Sequence, residues 1–285
     1  MKKYLNSFLF ISILIVFGCS SIPKRQIPNA LLEAQRYLKS AGEAELNLQN
    51  KRALNLFEKA YNSFTRIDNL EGKIKAGLGM ATIYHRMEDK TNHDLWLNKI
   101  KDFAYLNKKD MLPLIKLHEI KIAYETERLK TVLELTRSFP DHSLIWNLES
   151  NAYRSLALIK SDQDYETEKK IINSNLGKIE KLFQKNRLEE PELYPFLLYT
   201  SGYIATADQS WEEAISLFKD ARRADQELAN SLGIADDLYA LAKCYEILLE
   251  NELAIDYYQR AREIYCLIAD SKNCQECARK LDFLQ

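Results

Sequence analysis

The chain has 285 residues but only 8 glycines and 6 prolines. Those two residues reverse a backbone tightly between short strands, so an all-β architecture of this length has too little turn material. Histidine is scarce too. The four, His85, His93, His118 and His142, form no HExxH and no pair spaced i, i+4 on one helix, so the zinc-hydrolase patterns are missing. Nor is there an excess of one charge. With 40 basic and 41 acidic residues the formal net charge is −1, which offers a polyanion little attraction, and nucleic acid is not expected as a partner. No GxSxG occurs, and Gly72, Gly77 and Gly79 lack the preceding strand and the Lys-Ser/Thr end of a phosphate loop. No catalytic residue, metal ligand or cofactor is expected. What the chain does have is 46% hydrophobic and 28% charged residues, the balance of a well-packed body rather than a disordered one.

The N-terminus reads as an address. Lys2 and Lys3 precede an apolar run, Phe8 to Phe17, that ends at Gly18-Cys19. A positive start, a short apolar core and a small residue at the cut describe a secretory signal. The run is about half of the ~20 residues a membrane-spanning helix needs. Val16-Phe17-Gly18-Cys19 resembles a bacterial lipobox, with Phe17 bulkier than the usual residue there. The resemblance implies cleavage before Cys19 and a diacylglycerol on its thiol. Cleavage would remove Lys2 and Lys3 and take the body from −1 to −3. Ser20-Ser21 and a polar stretch with prolines, Ile22 to Asn29, then look like a tether. The expected division is a signal peptide at 1–18, a lipidated tether at 19–29 and a helical body at 30–285. Buried acyl methylenes contribute roughly 0.8 kcal/mol each, so two chains hold such a body on a membrane.

The body repeats itself. Leu198, Ser201, Gly202 and Ala205 are followed by Ala214, Phe218 and Ala221; Leu238, Leu241, Ala242 and Tyr245 by Ala254, Tyr258 and Ala261, at identical offsets. Tyr37, Ser40, Ala41 and Ala44, followed by Ala53, Phe57 and Ala60, repeat them again. Small residues let two helices cross closely, and an aromatic fills the remaining wedge. This pattern resembles the tetratricopeptide consensus. The resemblance implies an all-α, right-handed superhelical solenoid of helix-turn-helix repeats. Gly202 and Ala242 stand 40 residues apart, as do Ala41 and Ala81, wider than the usual repeat, so each helix is expected to be nearly one turn longer. Weaker pairs fall at Ile74–Met87 with Asn92–Leu106, Met111–Glu127 with Leu129–Ser138, and Ser143–Lys160 with Tyr165–Phe183. Six hairpins result, with a last helix over Asn273–Phe283 capping the stack.

In that family the first helix of each hairpin lines a concave groove. The positions that match here are Phe196, Tyr199, Tyr203 and Thr206 in the fifth unit, and Asp236, Tyr239, Lys243 and Glu246 in the sixth. Tyrosine pairs a rigid apolar ring with a polar tip and suits a peptide-binding surface, though these rings could equally pack between hairpins. Phe196, Tyr199, Tyr203, Tyr239, Lys243 and Glu246 are the candidate partner-binding residues. A carboxylate clamp would place Lys and Asn where the sequence has Leu38/Gly42, Leu78/Thr82, Tyr199/Tyr203 and Tyr239/Lys243, so the resemblance does not extend to that ligand. Beyond Cys19 there are Cys244, Cys266, Cys274 and Cys277. Three readings stand for them: a disulfide closing the short loop between Cys266 and Cys274 or Cys277, buried free thiols, or a metal or redox site. The resemblance implies a lipid-anchored scaffold of the bacterial cell envelope, at the outer membrane, that binds proteins or peptides. The alternatives are an accessory or regulatory subunit of an envelope enzyme or assembly machine, or a structural part of an oligomer.

Overall fold

The computed structural model describes residues 28–284; the expected signal segment, Cys19 and most of the expected tether lie outside the described residues. Among the described residues the regular structure is entirely helical. Thirteen α-helices run α1 (Asn29–Leu46), α2 (Asn50–Arg66), α3 (Leu70–Arg86), α4 (Lys90–Asn107), α5 (Leu112–Glu125), α6 (Leu129–Arg137), α7 (Leu144–Lys160), α8 (Glu166–Gln184), α9 (Leu193–Ala207), α10 (Trp211–Glu227), α11 (Ser231–Ile247), α12 (Asn251–Leu267) and α13 (Ser271–Leu284). A 3-10 turn, Lys109–Met111, leads into α5. They form six hairpins and a capping helix, a helical solenoid as the repeat pattern implies.

The two helices of a hairpin differ because their surroundings differ. A second helix such as α2 buries one stripe, Ala53, Phe57, Ala60 and Phe64, and shows water the rest. A first helix such as α9 has neighbours on several sides and buries Leu193, Leu197, Leu198, Ser201, Gly202, Ile204 and Ala205. The consensus positions are where the backbones come closest. A Cβ added at Gly202 would lie 2.5 Å from the Phe218 ring, and one at Gly79 would lie 2.3 Å from Phe57. Phe218 is 1% exposed and cannot swing away. Gly72 and Gly77 likewise seat Phe64 and Ile100, so the three glycines of α3 are contact points for helices and not a phosphate loop.

The scarcity of glycine does not spare the turns from left-handed backbone. Leu48, Asp68, Glu88, Glu127, Asp162, Asn186, Gln209, Ala229, Leu249 and Ala269 all have φ between 51° and 62°, each just beyond a helix end. There the chain closes the helix with a bond from two residues past the cap, as Gln49 N–H donates to Ala44 C=O and Glu250 N–H to Tyr245 C=O. The next helix then starts at once, some with side-chain caps: Asn69 accepts from Gly72 N–H at 2.8 Å and Asn230 from Gly233 N–H at 3.1 Å. Where this short turn recurs, it returns the chain in the same orientation.

First helices therefore stand side by side. α1 packs on α3, α3 on α5, α5 on α7, α7 on α9 and α9 on α11, and α1 also touches α11. The stack has curled until its sixth hairpin meets its first, where Ser231 Oγ hydrogen-bonds Asn47 Oδ1. The inner wall of that curl is built from first helices.

A left-handed leucine strains the turn after α11. Leu249 is 82% exposed, so its side chain gives little packing in return. Leu249→Gly is expected to stabilise the protein by about 0.5–1 kcal/mol, the relief of Cβ strain less the added freedom of the unfolded chain. Thermal unfolding followed by circular dichroism checks this; an unchanged or lower midpoint would count against a strained turn.

Candidate functional site

The inner wall carries an aromatic seam in three groups. Tyr124 on α5 meets Tyr153 on α7 with ring centroids 5.5 Å apart, and Tyr153 meets Phe196 on α9 at 4.8 Å. One turn further along α9, Tyr199 and Tyr203 lie 4.9 Å apart, Tyr199 Oη donates to Tyr203 Oη at 3.4 Å, and both rings rest edge-on against Phe218. On α11, Tyr239 packs against Tyr258 at 5.4 Å. Phe196, Tyr199, Tyr203 and Tyr239 are all half-buried, neither sealed between helices nor free in water. Protein walls around the Tyr199 and Tyr203 hydroxyls raise both above the ordinary tyrosine value.

The two charged candidates part company. Lys243 is exposed. Glu246 is engaged within the fold: Tyr258 Oη donates to it at 2.5 Å, and Lys280 of the capping helix binds both its oxygens at 2.9 and 3.1 Å. These bonds hold its carboxylate below the usual range against the opposing effect of burial. Its observed contacts tie α11 to α12 and α13.

Three carboxylates that the repeat pattern does not single out share the wall. Glu149 on α7 and Glu190 are half-buried, and Glu192, at the entry to α9, is exposed. Burial first, then repulsion from Glu190, pushes Glu149 up to about 8, and burial raises Glu190 and Glu192 as well. Trp146 Nε1 donates to Glu190 at 3.2 Å. Nearby cations are committed elsewhere: Arg86 and Lys121 both pair with Glu45, at 3.4 and 3.6 Å, and Lys75 with Glu71 at 2.9 Å. Glu149 and Tyr153 have the same i, i+4 spacing as Tyr199 and Tyr203, which is the one signal that could have found them.

Three of the four histidines also converge. His93 lies 5.4 Å from His85 and 5.8 Å from His118 between ring centroids, although the sequence separates them widely. His93 Nδ1 bonds Ala81 C=O at 3.0 Å and His118 Nδ1 contacts Thr82 Oγ1 at 3.3 Å. Burial, then Lys121, pushes His118 down to about 3, so it packs as a neutral ring. No group of three or more His, Cys, Asp or Glu side chains among the described residues is placed to hold a metal ion.

Residues 196–266 match the tetratricopeptide repeat family model. They fall on α9 to α12, two of the three hairpins whose consensus positions are complete and the two whose first helices carry the candidate tyrosines. Among solved structures the chain is similar to a Signal Transduction ATPase with Numerous Domains protein with a tetratricopeptide repeat sensor from Pyrococcus horikoshii, at 16% identity and a TM-score of 0.47. That match covers 90% of this chain but 43% of the other, so this chain spans less than half of that protein. No curated protein matches the chain.

Between the matched hairpins lies a buried acid pair. Asp237 is 1% exposed, neither of its oxygens has a hydrogen-bond partner in the described structure, and Asp225 beside it accepts from Asn230 Nδ2 at 2.7 Å. Burial and the neighbouring carboxylate hold Asp237 well above its ordinary value, and burial raises Asp225 to about 7. Two such acids bind protons more tightly folded than unfolded. Their contribution is fully present below the unfolded aspartate value of about 3.9 and is lost as the pH rises through about 7. Asp237→Asn removes part of that loss. The melting temperature of the variant is expected to gain on the parent between pH 5 and pH 8; a constant difference across that range would count against a protonated pair.

The cysteines divide between two of the three readings. Cys266 at the end of α12 is disulfide-bonded to Cys274 on α13, while Cys244 and Cys277 are buried free thiols. The bridge staples the capping helix to the last hairpin.

Proposed function

We propose that this chain is a non-catalytic, lipid-anchored scaffold of the bacterial cell envelope that holds segments of partner proteins along its inner wall. The observation that carries the reading is the row of half-buried aromatic side chains presented by adjacent first helices, in the very hairpins that match the tetratricopeptide model. Aromatic rings supply contact area at low entropic cost, and hairpins fixed on both sides present them without reorganisation. The anchor rests on the Lys2-Lys3 start, the apolar run and the lipobox-like Val16–Cys19. No helix among the described residues is long and apolar enough to cross a membrane. A thioether-linked diacylglycerol on Cys19, with an outer-membrane address, would tie the body to a bilayer.

The two halves of this reading have separate tests. In cells grown with a labelled fatty acid, Cys19→Ser is expected to abolish labelling; undiminished labelling would remove the anchor from the proposal. A photo-crosslinking residue placed at Tyr203 is expected to form adducts with partner proteins, and one at the exposed Leu106 of α4 to form none. Tyr199→Ala with Tyr239→Ala, still folded by circular dichroism, should lose most of the Tyr203 adducts, because removing a central aromatic contact commonly costs ~2 kcal/mol or more of binding. Adducts from Leu106 alone would move the binding surface to the outer face.

A further inference from the structure

The inner wall holds carboxyl groups that its own cations leave unpaired. Among the described residues, no lysine, arginine or histidine pairs with Glu149, Glu190 or Glu192, and the one side chain that hydrogen-bonds any of the three carboxylates is Trp146. The cations within reach already serve Glu45 and Glu71. A partly desolvated carboxylate without a counter-charge is costly, and a cation brought to it recovers that cost.

Tyr153 independently marks the same spot. It is 8% exposed, it stands one helical turn from Glu149 on the same face of α7, and its hydroxyl has no hydrogen-bond partner among the described residues. Its ring joins those of Tyr124 and Phe196 in the seam. Carboxylates beside ring faces form a receptor for the head and stem of a long cationic side chain: the acids take the charge, and the rings take the methylenes or stack on a guanidinium.

We infer that the groove takes an extended segment of a partner protein whose lysine or arginine enters between Glu149, Glu190, Glu192 and Tyr153 while an apolar or aromatic side chain lies on Tyr199 and Tyr203. The inference rests on the scaffold reading and adds the chemistry of the bound segment. Glu192 and Tyr199 are separated by seven residues of α9, an axial distance of about 10 Å at ~1.5 Å per residue. An extended chain covers that in about three residues. The recognised pattern is a basic residue with an apolar one three or four positions away.

The probe is a phage-displayed library of random dodecapeptides panned on the immobilised full chain. Enriched peptides are expected to carry that pattern and to bind the Glu149→Gln, Glu190→Gln, Glu192→Gln variant at least about tenfold more weakly. They should bind Glu212→Gln, Glu213→Gln, altered on the exposed start of α10, as they bind the parent. If the triple variant does not fold, Glu149→Gln alone is expected to show the same direction of change. Enriched peptides that lack basic residues, or that ignore the loss of the three acids yet are lost with Tyr199→Ala and Tyr239→Ala, would overturn the charge assignment and leave the groove standing. Failure of any peptide to enrich would overturn both.

Discussion

An aromatic ring lying on bare helix backbone governs this molecule. Phe218 can rest on α9 because position 202 has no side chain, and Phe57 lies against α3 at Gly79 in the same way. The contact sets how closely two helices approach and so how far each hairpin leans on the next. A fully buried Phe contributes roughly 1.5–3 kcal/mol by area alone, but its geometric effect is the larger one here. The lean accumulated over six hairpins becomes a curl, and the curl brings α11 back to α1.

The curl explains the electrostatics. On a flat surface Glu149 would be hydrated and ordinary. Set in a concave wall with Glu190 and Glu192, it loses part of its water and gains two like neighbours, and its carboxyl rises to about 8. The same walls raise Tyr199 and Tyr203 while leaving both residues half-buried. Elsewhere the fold satisfies its buried charge internally. Arg154 binds Glu168 at 2.8 Å and the Leu133 carbonyl at 3.2 Å, stitching α7 to α8 and α6 where the consensus has faded. The contrast between that closed ion pair and the unpaired acids of the wall separates acids satisfied within the fold from acids open to a partner.

Much of the architecture was legible in the residues. The spacing over Leu129–Ser138 predicts a short helix, and α6 runs Leu129–Arg137 because Pro140 follows closely. The cap expected at Asn273–Phe283 is α13, two residues longer at its start and one at its end. Periodicity is a local signal, and helices answer to it. The aromatic candidates of the fifth and sixth units were legible for the same reason, as positions in a repeat. Glu246 shows the limit of that logic: a position in a register says where a side chain starts, and Lys280, 34 residues on, decides what its carboxylate meets.

From the sequence by itself follow the helical class, the hairpin order, the small-residue crossings and the face on which Tyr199, Tyr203 and Tyr239 lie. Each depends on residues within one or two helical turns or on a repeat of fixed length. Only the tertiary structure decided that Glu149, Glu190 and Glu192 share a wall with Tyr153, that His85, His93 and His118 touch, that Cys266 bonds Cys274 and not Cys277, and that Ser231 reaches Asn47. Those meetings depend on the accumulated lean of successive hairpins and the direction of individual side chains. No local pattern carries the sum of many small angles.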